Sequence, residues 1–147
     1  MSKIKKVLVI IIAICAVLSI ISTVFRVYER TTYERYAGKD LFLSREIKVS
    51  YMDETVDIAG LNNISLITHL QYRERELSFK KIESDKCITI ESSKGALINI
   101  YPRDNNSVYL TLTVNNRMSF KYIMHDSDFN EFLEMLYEIT ENDVFNI

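Results

Sequence analysis

The sequence predicts an α+β protein: an N-terminal transmembrane helix, an antiparallel β meander of seven or eight strands, and a C-terminal amphipathic helix. Three observations predict it. A long uncharged run lies near the N-terminus, the middle of the chain alternates apolar and polar residues with period two, and the spacing becomes helical near the end. The predicted organisation is a basic tail over residues 1–6, the transmembrane helix over 7–25, a juxtamembrane helical spacer over 26–40 and a β-rich domain over 41–147.

Residues 7–25 form nineteen consecutive positions without a charged side chain. At about 1.5 Å per residue, a helix of this length spans about 28 Å, close to the ~30 Å hydrocarbon core of a bilayer. Thirteen of the nineteen are Val, Leu, Ile or Phe, which together favour insertion by about 4–8 kcal/mol. A secretory signal peptide has an apolar core of only about 7–15 residues and a small-x-small cleavage site, which is poorly matched here. We therefore favour an uncleaved anchor over a cleaved signal.

The orientation of this anchor depends on the basic residues beside it. Three lysines precede the apolar run and four basic residues follow it within the range that counts: Lys3, Lys5, Lys6, Arg26, Arg30, Arg35 and Lys39. The two flanks nearly balance, but three lysines in a six-residue tail are hard to translocate. We expect the N-terminus inside a cell membrane that the chain crosses once, and the domain on the extracytoplasmic side.

Two features near the anchor suggest partners. Cys15, Ser19 and Thr23 follow at i, i+4 and i+8, a small-residue stripe through which two transmembrane helices can associate. The alternative is that small residues are simply common in membrane spans. The spacer is charged and rich in tyrosine, and Gly38 is its predicted helix stop. Its candidate contacts to lipid headgroups or to a protein partner are Tyr28, Tyr33 and Tyr36. The alternative is a solvated spacer, because mixed charges usually face water.

Period-two alternation over short segments predicts the strands. The clearest case is Val108–Val114, which the turn pair Asn115-Asn116 connects to the next strand. The first part of Ile64–Tyr72 could also be helical. The predicted strands are Glu46–Tyr51, Thr55–Ala59, Ile64–Tyr72, Leu77–Phe79, Ile88–Ile90, Ala96–Ile100, Val108–Val114 and Met118–Met124.

The last predicted element is a helix over residues 128–141. Asp128 is its N-cap, and Glu131 stands three residues later as in a capping box. Apolar residues at helical spacing form one face of the helix. The opposite face carries Glu131, Glu134, Glu138 and Glu141. These four are a candidate docking face for a basic partner, and the alternative is the solvated side of a packing helix.

Composition excludes several classes of function. The region beyond the transmembrane helix has 20 acidic residues against 15 basic ones, a net charge of −5, so no nucleic-acid partner is expected. Cys87 is the only cysteine there, which rules out an intrachain disulfide in the domain. Without a Cys/His cluster or a Gly-rich phosphate loop, we expect no metal and no cofactor. His125 lies two residues from Ser127, but residues so close on a turn do not converge, so no catalytic residue is predicted.

A meander of about seven strands followed by one capped amphipathic helix, over Glu46 to Thr140, resembles the pleckstrin-homology-like architecture found in small bacterial membrane proteins. The resemblance lies in the order of elements and implies a scaffold for binding or self-assembly. It implies no particular binding residue.

These observations predict a single-pass, membrane-anchored, non-enzymatic binding or accessory module. Its expected partners are the lipid bilayer and a protein, or a second copy associating through the transmembrane helix. One alternative is a secreted or anchored immunity-type or envelope-stress protein that sequesters a partner. A small hydrolase is the other alternative, disfavoured for lack of a catalytic constellation.

Overall fold

The chain divides into two compact units, Met1–Thr32 and Tyr33–Ile147. A computed structural model describes residues 2–58, 64–78 and 80–146. The second unit begins at Tyr33, eight residues before the predicted domain start at Leu41. The unit boundary therefore falls inside the segment predicted to be a spacer.

The first unit consists of one helix. Helix α1 runs over Lys3–Tyr33, and together with the helical segments that follow it is long and apolar enough to cross a membrane. No side chain of its apolar stretch is buried. The hydroxyls of Thr23 and Thr31 donate to the carbonyl oxygens of Ser19 and Val27, one turn earlier. These polar groups are therefore satisfied within the helix, as an apolar environment requires.

The predicted helix stop at Gly38 is wrong, because helical structure continues to Leu43. One π-helical turn spans Glu34–Lys39, and helix α2 spans Asp40–Leu43. The Gln71 side-chain amide donates to the carbonyl oxygen of Ala37 at 3.3 Å, which satisfies a carbonyl in the irregular turn. The helix ends only at Ser44, whose backbone is extended.

A seven-stranded antiparallel open sheet forms the second unit, and the predicted α+β class is confirmed. The order across the sheet is β2-β1-β4-β5-β6-β7-β3. The strands are β1 (Ile47–Tyr51), β2 (Glu54–Ile58), β3 (Glu74–Arg75), β4 (Ile88–Ser92), β5 (Ala96–Asp104), β6 (Ser107–Val114) and β7 (Met118–His125). The meander is continuous from β4 to β7. Between β2 and β4 the chain crosses from one edge of the sheet to the other and returns.

Two predicted strands differ from the structure at this crossing. The strand predicted over Ile64–Tyr72 is wrong, because Ile64–His69 forms helix α3. Leu66 and Ile67 in this helix, and Leu70 directly after it, pack in the core. Leu70 follows Ile67 by three positions and Leu66 by four, which is helical spacing. In the strand predicted over Leu77–Phe79, Leu77 is exposed and lies outside any strand. Phe79, and Ala59 at the end of the strand predicted over Thr55–Ala59, lie outside the described residues.

The hairpin turns agree with the sequence. Met52 and Asp53 connect β1 to β2, and Asn115 and Asn116 connect β6 to β7, all four with positive φ. Such turns match the right-handed twist of the flanking strands, and Asn and Asp tolerate this conformation better than most residues.

Helix α4, over Phe129–Thr140, confirms the predicted C-terminal helix. Asp128 accepts a hydrogen bond from the backbone N–H of Asn130, and Glu131 completes the capping box. The chain leaves the helix at Glu141 with φ 52°, and a short 3₁₀ turn follows over Asp143–Phe145. The apolar face of α4 enters the core with Phe129, Phe132, Leu133 and Leu136.

The core lies on one face of the sheet. The π-helical turn, α3 and α4 cover this face. Tyr33, Ala37 and Leu41 contribute a buried stripe at i, i+4 and i+8. We call the opposite face uncovered because no helix of the described residues packs on it, although the segment that follows β3 lies against it at Lys121.

Candidate functional site

The uncovered face of the sheet carries a band of polar and aromatic side chains. Alternation places core residues such as Ile98, Leu110 and Leu112 on one side and their chain neighbours on the other. One cross-strand row consists of Thr89, Asn99, Thr111 and Lys121, which are paired in register. The next row consists of Tyr101, Tyr109, Ile123 and Glu74.

Hydrogen bonds and stacked cations hold this face in place. The Thr89 hydroxyl donates to Asn99 Oδ1 at 2.9 Å. Two cations lie over the Tyr109 ring, with Lys121 Nζ 4.8 Å and the Arg103 guanidinium carbon 5.6 Å from its centroid. Both lie within the ~6 Å at which a cation is attracted to an aromatic ring. This face therefore presents positive charge next to an aromatic ring.

A cavity of about 300 Å³ opens beside Tyr109. Three lysines line it, Lys80, Lys81 and Lys121. Lys121 Nζ donates a hydrogen bond to the backbone carbonyl of Lys80 at 2.8 Å, which ties β7 to the segment that follows β3. We call this site, defined by the three lysines and Tyr109, the basic cavity.

A second, wider cavity lies beside β1, β2 and β4. Cys87 and Asp53 are among its lining residues. Cys87 is half-buried, and its Sγ lies 3.7 Å from Thr89 Oγ1. Burial raises the pKa of the neighbouring Tyr101 phenol, and its interaction with Cys87 raises the pKa further.

The structure separates the three predicted contact tyrosines. Tyr28 is exposed, Tyr36 is half-buried and Tyr33 is fully buried. The Tyr33 hydroxyl donates to the carbonyl oxygen of Leu70, and its ring meets Tyr122 edge-on at 4.8 Å. Tyr33 thus belongs to the core of the domain and is not available to an external partner.

The predicted acidic face is present on α4. Glu131, Glu134, Glu138 and Glu141 are all exposed, on the side of the helix away from the core. Glu131 also accepts the backbone N–H of Asp128 in the capping box.

Sequence reasoning missed the basic cavity. In the sequence, Tyr72–Arg75, Lys80 and Lys81 form a basic and aromatic stretch that Glu74 and Glu76 interrupt. In the structure, the Arg73 guanidinium instead stacks 3.5 Å from the Tyr33 ring centroid. Lys121, about forty positions later in the chain, joins the two lysines. Only the crossing between β2 and β4 brings them together, and no local motif signals it.

One Ser–His contact is also long-range. Ser127 Oγ lies 2.9 Å from His69 Nε2, at the N-terminus of α4 and the end of α3. His69 was predicted to lie in a strand, and its ring meets Phe132 edge-on at 5.0 Å. Ser127 is only 2% exposed and His69 is half-buried, so this contact connects the start of α4 to the end of α3. The predicted neighbour His125 lies 3.3 Å from Glu74 instead.

Among the residues that the structure describes, no group of three or more His, Cys, Asp or Glu side chains could hold a metal ion. Comparison of the chain with protein-family models, with curated proteins and with solved structures finds no match. The functional argument therefore depends on the geometry of the chain itself.

Proposed function

We propose that this chain is a single-pass, membrane-anchored, non-enzymatic binding module, with its domain on the extracytoplasmic side and the uncovered sheet face as its binding surface. The observation that carries the proposal is the helix Lys3–Leu43. It is long and apolar enough to span a bilayer, and no side chain of its apolar stretch is buried by protein. A helix that is apolar all round requires an apolar surrounding.

The domain supports the binding role. Tyr109, Tyr101 and Asn99 present aromatic and amide groups on a sheet whose other face is packed, so their positions are held by the scaffold. Rigid sheet positions suit binding, because little side-chain entropy is lost when a partner docks. The buried Ser127 argues against the hydrolase alternative at the Ser–His contact.

Anchoring and orientation are tested together by thiol labelling. Lys94, exposed in the turn before β5, and Ser2, exposed at the N-terminus, are each replaced by Cys in a C15S/C87S background. An impermeant maleimide added to intact cells should label K94C and should label S2C only after lysis. The reverse pattern would overturn the orientation, and release of the chain by alkaline carbonate would overturn the anchor.

The binding surface is tested by photo-crosslinking in the membrane. A photoreactive amino acid is placed at Thr111 on the sheet face or, as the matched control, at Glu138 on α4. We expect a discrete adduct from Thr111 and none from Glu138. An adduct from Glu138 alone would favour the acidic helix face as the docking surface. Turnover of a substrate by the purified chain would contradict the non-enzymatic role.

A further inference from the structure

We propose that the basic cavity binds a phosphate group, and that the nearest source is the anionic lipid headgroup of the membrane that holds the chain. The source, but not the cavity's chemistry, depends on the proposed anchoring.

The cavity has an excess of positive charge. Lys80, Lys81 and Lys121 line it, and among the residues that the structure describes none of the three forms an ion pair. Glu76 and Glu83 also line it. The Glu76 carboxylate accepts the backbone N–H of Ser78 at 2.8 Å, so it is engaged in its own turn. Three lysines against two glutamates leave the lining with a net charge of +1, and this excess attracts an anion into the cavity.

Lys121 is positioned before any ligand arrives. Its ammonium donates to the Lys80 carbonyl and lies over the Tyr109 ring, which leaves two of its three N–H donors available. The Arg103 guanidinium also lies over the Tyr109 ring, and it forms an ion pair with Asp104 at 3.7 Å. A donor already held in place loses little freedom on binding, which favours affinity.

Size and chemistry together point to phosphate. About 300 Å³ is at the lower end of the range for small-molecule sites, enough for a phosphate with a short organic group. Lysine binds phosphate as a point charge and requires no planar, bidentate geometry.

A short chain connection keeps an anchored domain within reach of a phosphate-rich surface. Tyr33, the first residue of the domain, follows Phe25, the last residue of the apolar run, by eight positions. If the chain is anchored as proposed, this tether gives the domain membrane phosphate groups at high local concentration.

Lysine footprinting of the full chain tests the proposal. In a neutral detergent, inorganic phosphate should slow acetylation of Lys81 and Lys121 while leaving exposed Lys48 unchanged, relative to chloride at equal ionic strength. K81Q, at an exposed position that should not affect folding, should weaken phosphate binding about tenfold, as loss of a charged donor predicts. The matched control K48Q should stay within about twofold of the unmodified chain.

The source is tested in nanodiscs of phosphatidylcholine alone or mixed with phosphatidylglycerol. Protection of Lys81 and Lys121 only in the mixed lipid supports the headgroup. Protection by inorganic phosphate without any lipid effect overturns the lipid source and supports a soluble phosphate ligand. Equal protection of Lys48, or none at the cavity in either experiment, overturns the site. The detergent experiment does not depend on anchoring, so failure of the site and failure of the proposed function are distinguishable.

Discussion

Replacing Tyr33 by Ala should greatly lower the domain's free energy of unfolding, although the sequence predicts that Tyr33 lies in a polar spacer. The side chain is 0% exposed. It meets Tyr122 edge-on, carries the Arg73 guanidinium over its ring and donates to the Leu70 carbonyl. Removing a buried aromatic side chain costs about 3–5 kcal/mol, from lost burial and from the cavity left behind.

Amide hydrogen exchange of β5 and β6 in the full, detergent-solubilised chain measures this loss, because core amides exchange through global opening. Since about 1.4 kcal/mol is tenfold in an equilibrium constant, Y33A should exchange about 10²–10⁴-fold faster. Y33F keeps the ring and loses only the hydrogen bond to Leu70, so it should lose about 1–3 kcal/mol.

Tyr28 provides the matched control, because it lies in the same juxtamembrane segment and is 48% exposed. Y28A should leave exchange in β5 and β6 unchanged. If Y33A and Y28A exchanged at the same rate, Tyr33 would not be part of the folded core and the domain boundary at Tyr33 would be wrong.

Two further predictions concern the helix cap and the sheet face. D128A should lower the free energy of unfolding by about 1 kcal/mol, since it removes the capping box of α4. The control is E134A, at an exposed position of the same helix. Equal thermal midpoints for the two variants would contradict the stabilising role of the cap. The pKa of Tyr101 is raised above its ordinary value of 10.0, first by burial and then by Cys87. The contribution of Tyr101 to the free energy of unfolding is therefore complete below about pH 10 and declines as pH rises through the folded pKa. In urea titrations above that pH, Y101F should decline less than the unmodified chain, whereas parallel curves would refute the assignment.

Local signals predicted the elements that depend on neighbouring residues. The Asn115-Asn116 turn requires positive φ at both positions, which asparagine accepts, and it places β6 and β7 in register. The N-cap of α4 needs only Asp128 and Glu131, one turn apart. Both predictions use interactions within four residues, where sequence and structure correspond closely.

Helix α3 was missed because its signal is ambiguous. A short run with Ile64, Leu66 and Leu70 at even spacing fits a strand, and Ile67 between them fits a helix equally well. Packing in the core, between the π-helical turn and α4, decided the helix. The buried stripe of Tyr33, Ala37 and Leu41 did have a signal, since helical spacing links the three positions, but the surrounding charges made the segment look solvated.

The sequence by itself determined a long apolar helix at one end, the alternating strands and the capped helix at the other, because periodicity and caps are local properties of the chain. Tertiary structure alone decided which face of the sheet stays uncovered and which lysines meet there. Lys80, Lys81 and Lys121 converge because the chain crosses the sheet between β2 and β4. Such a convergence joins residues about forty positions apart, and no interaction between sequence neighbours specifies it.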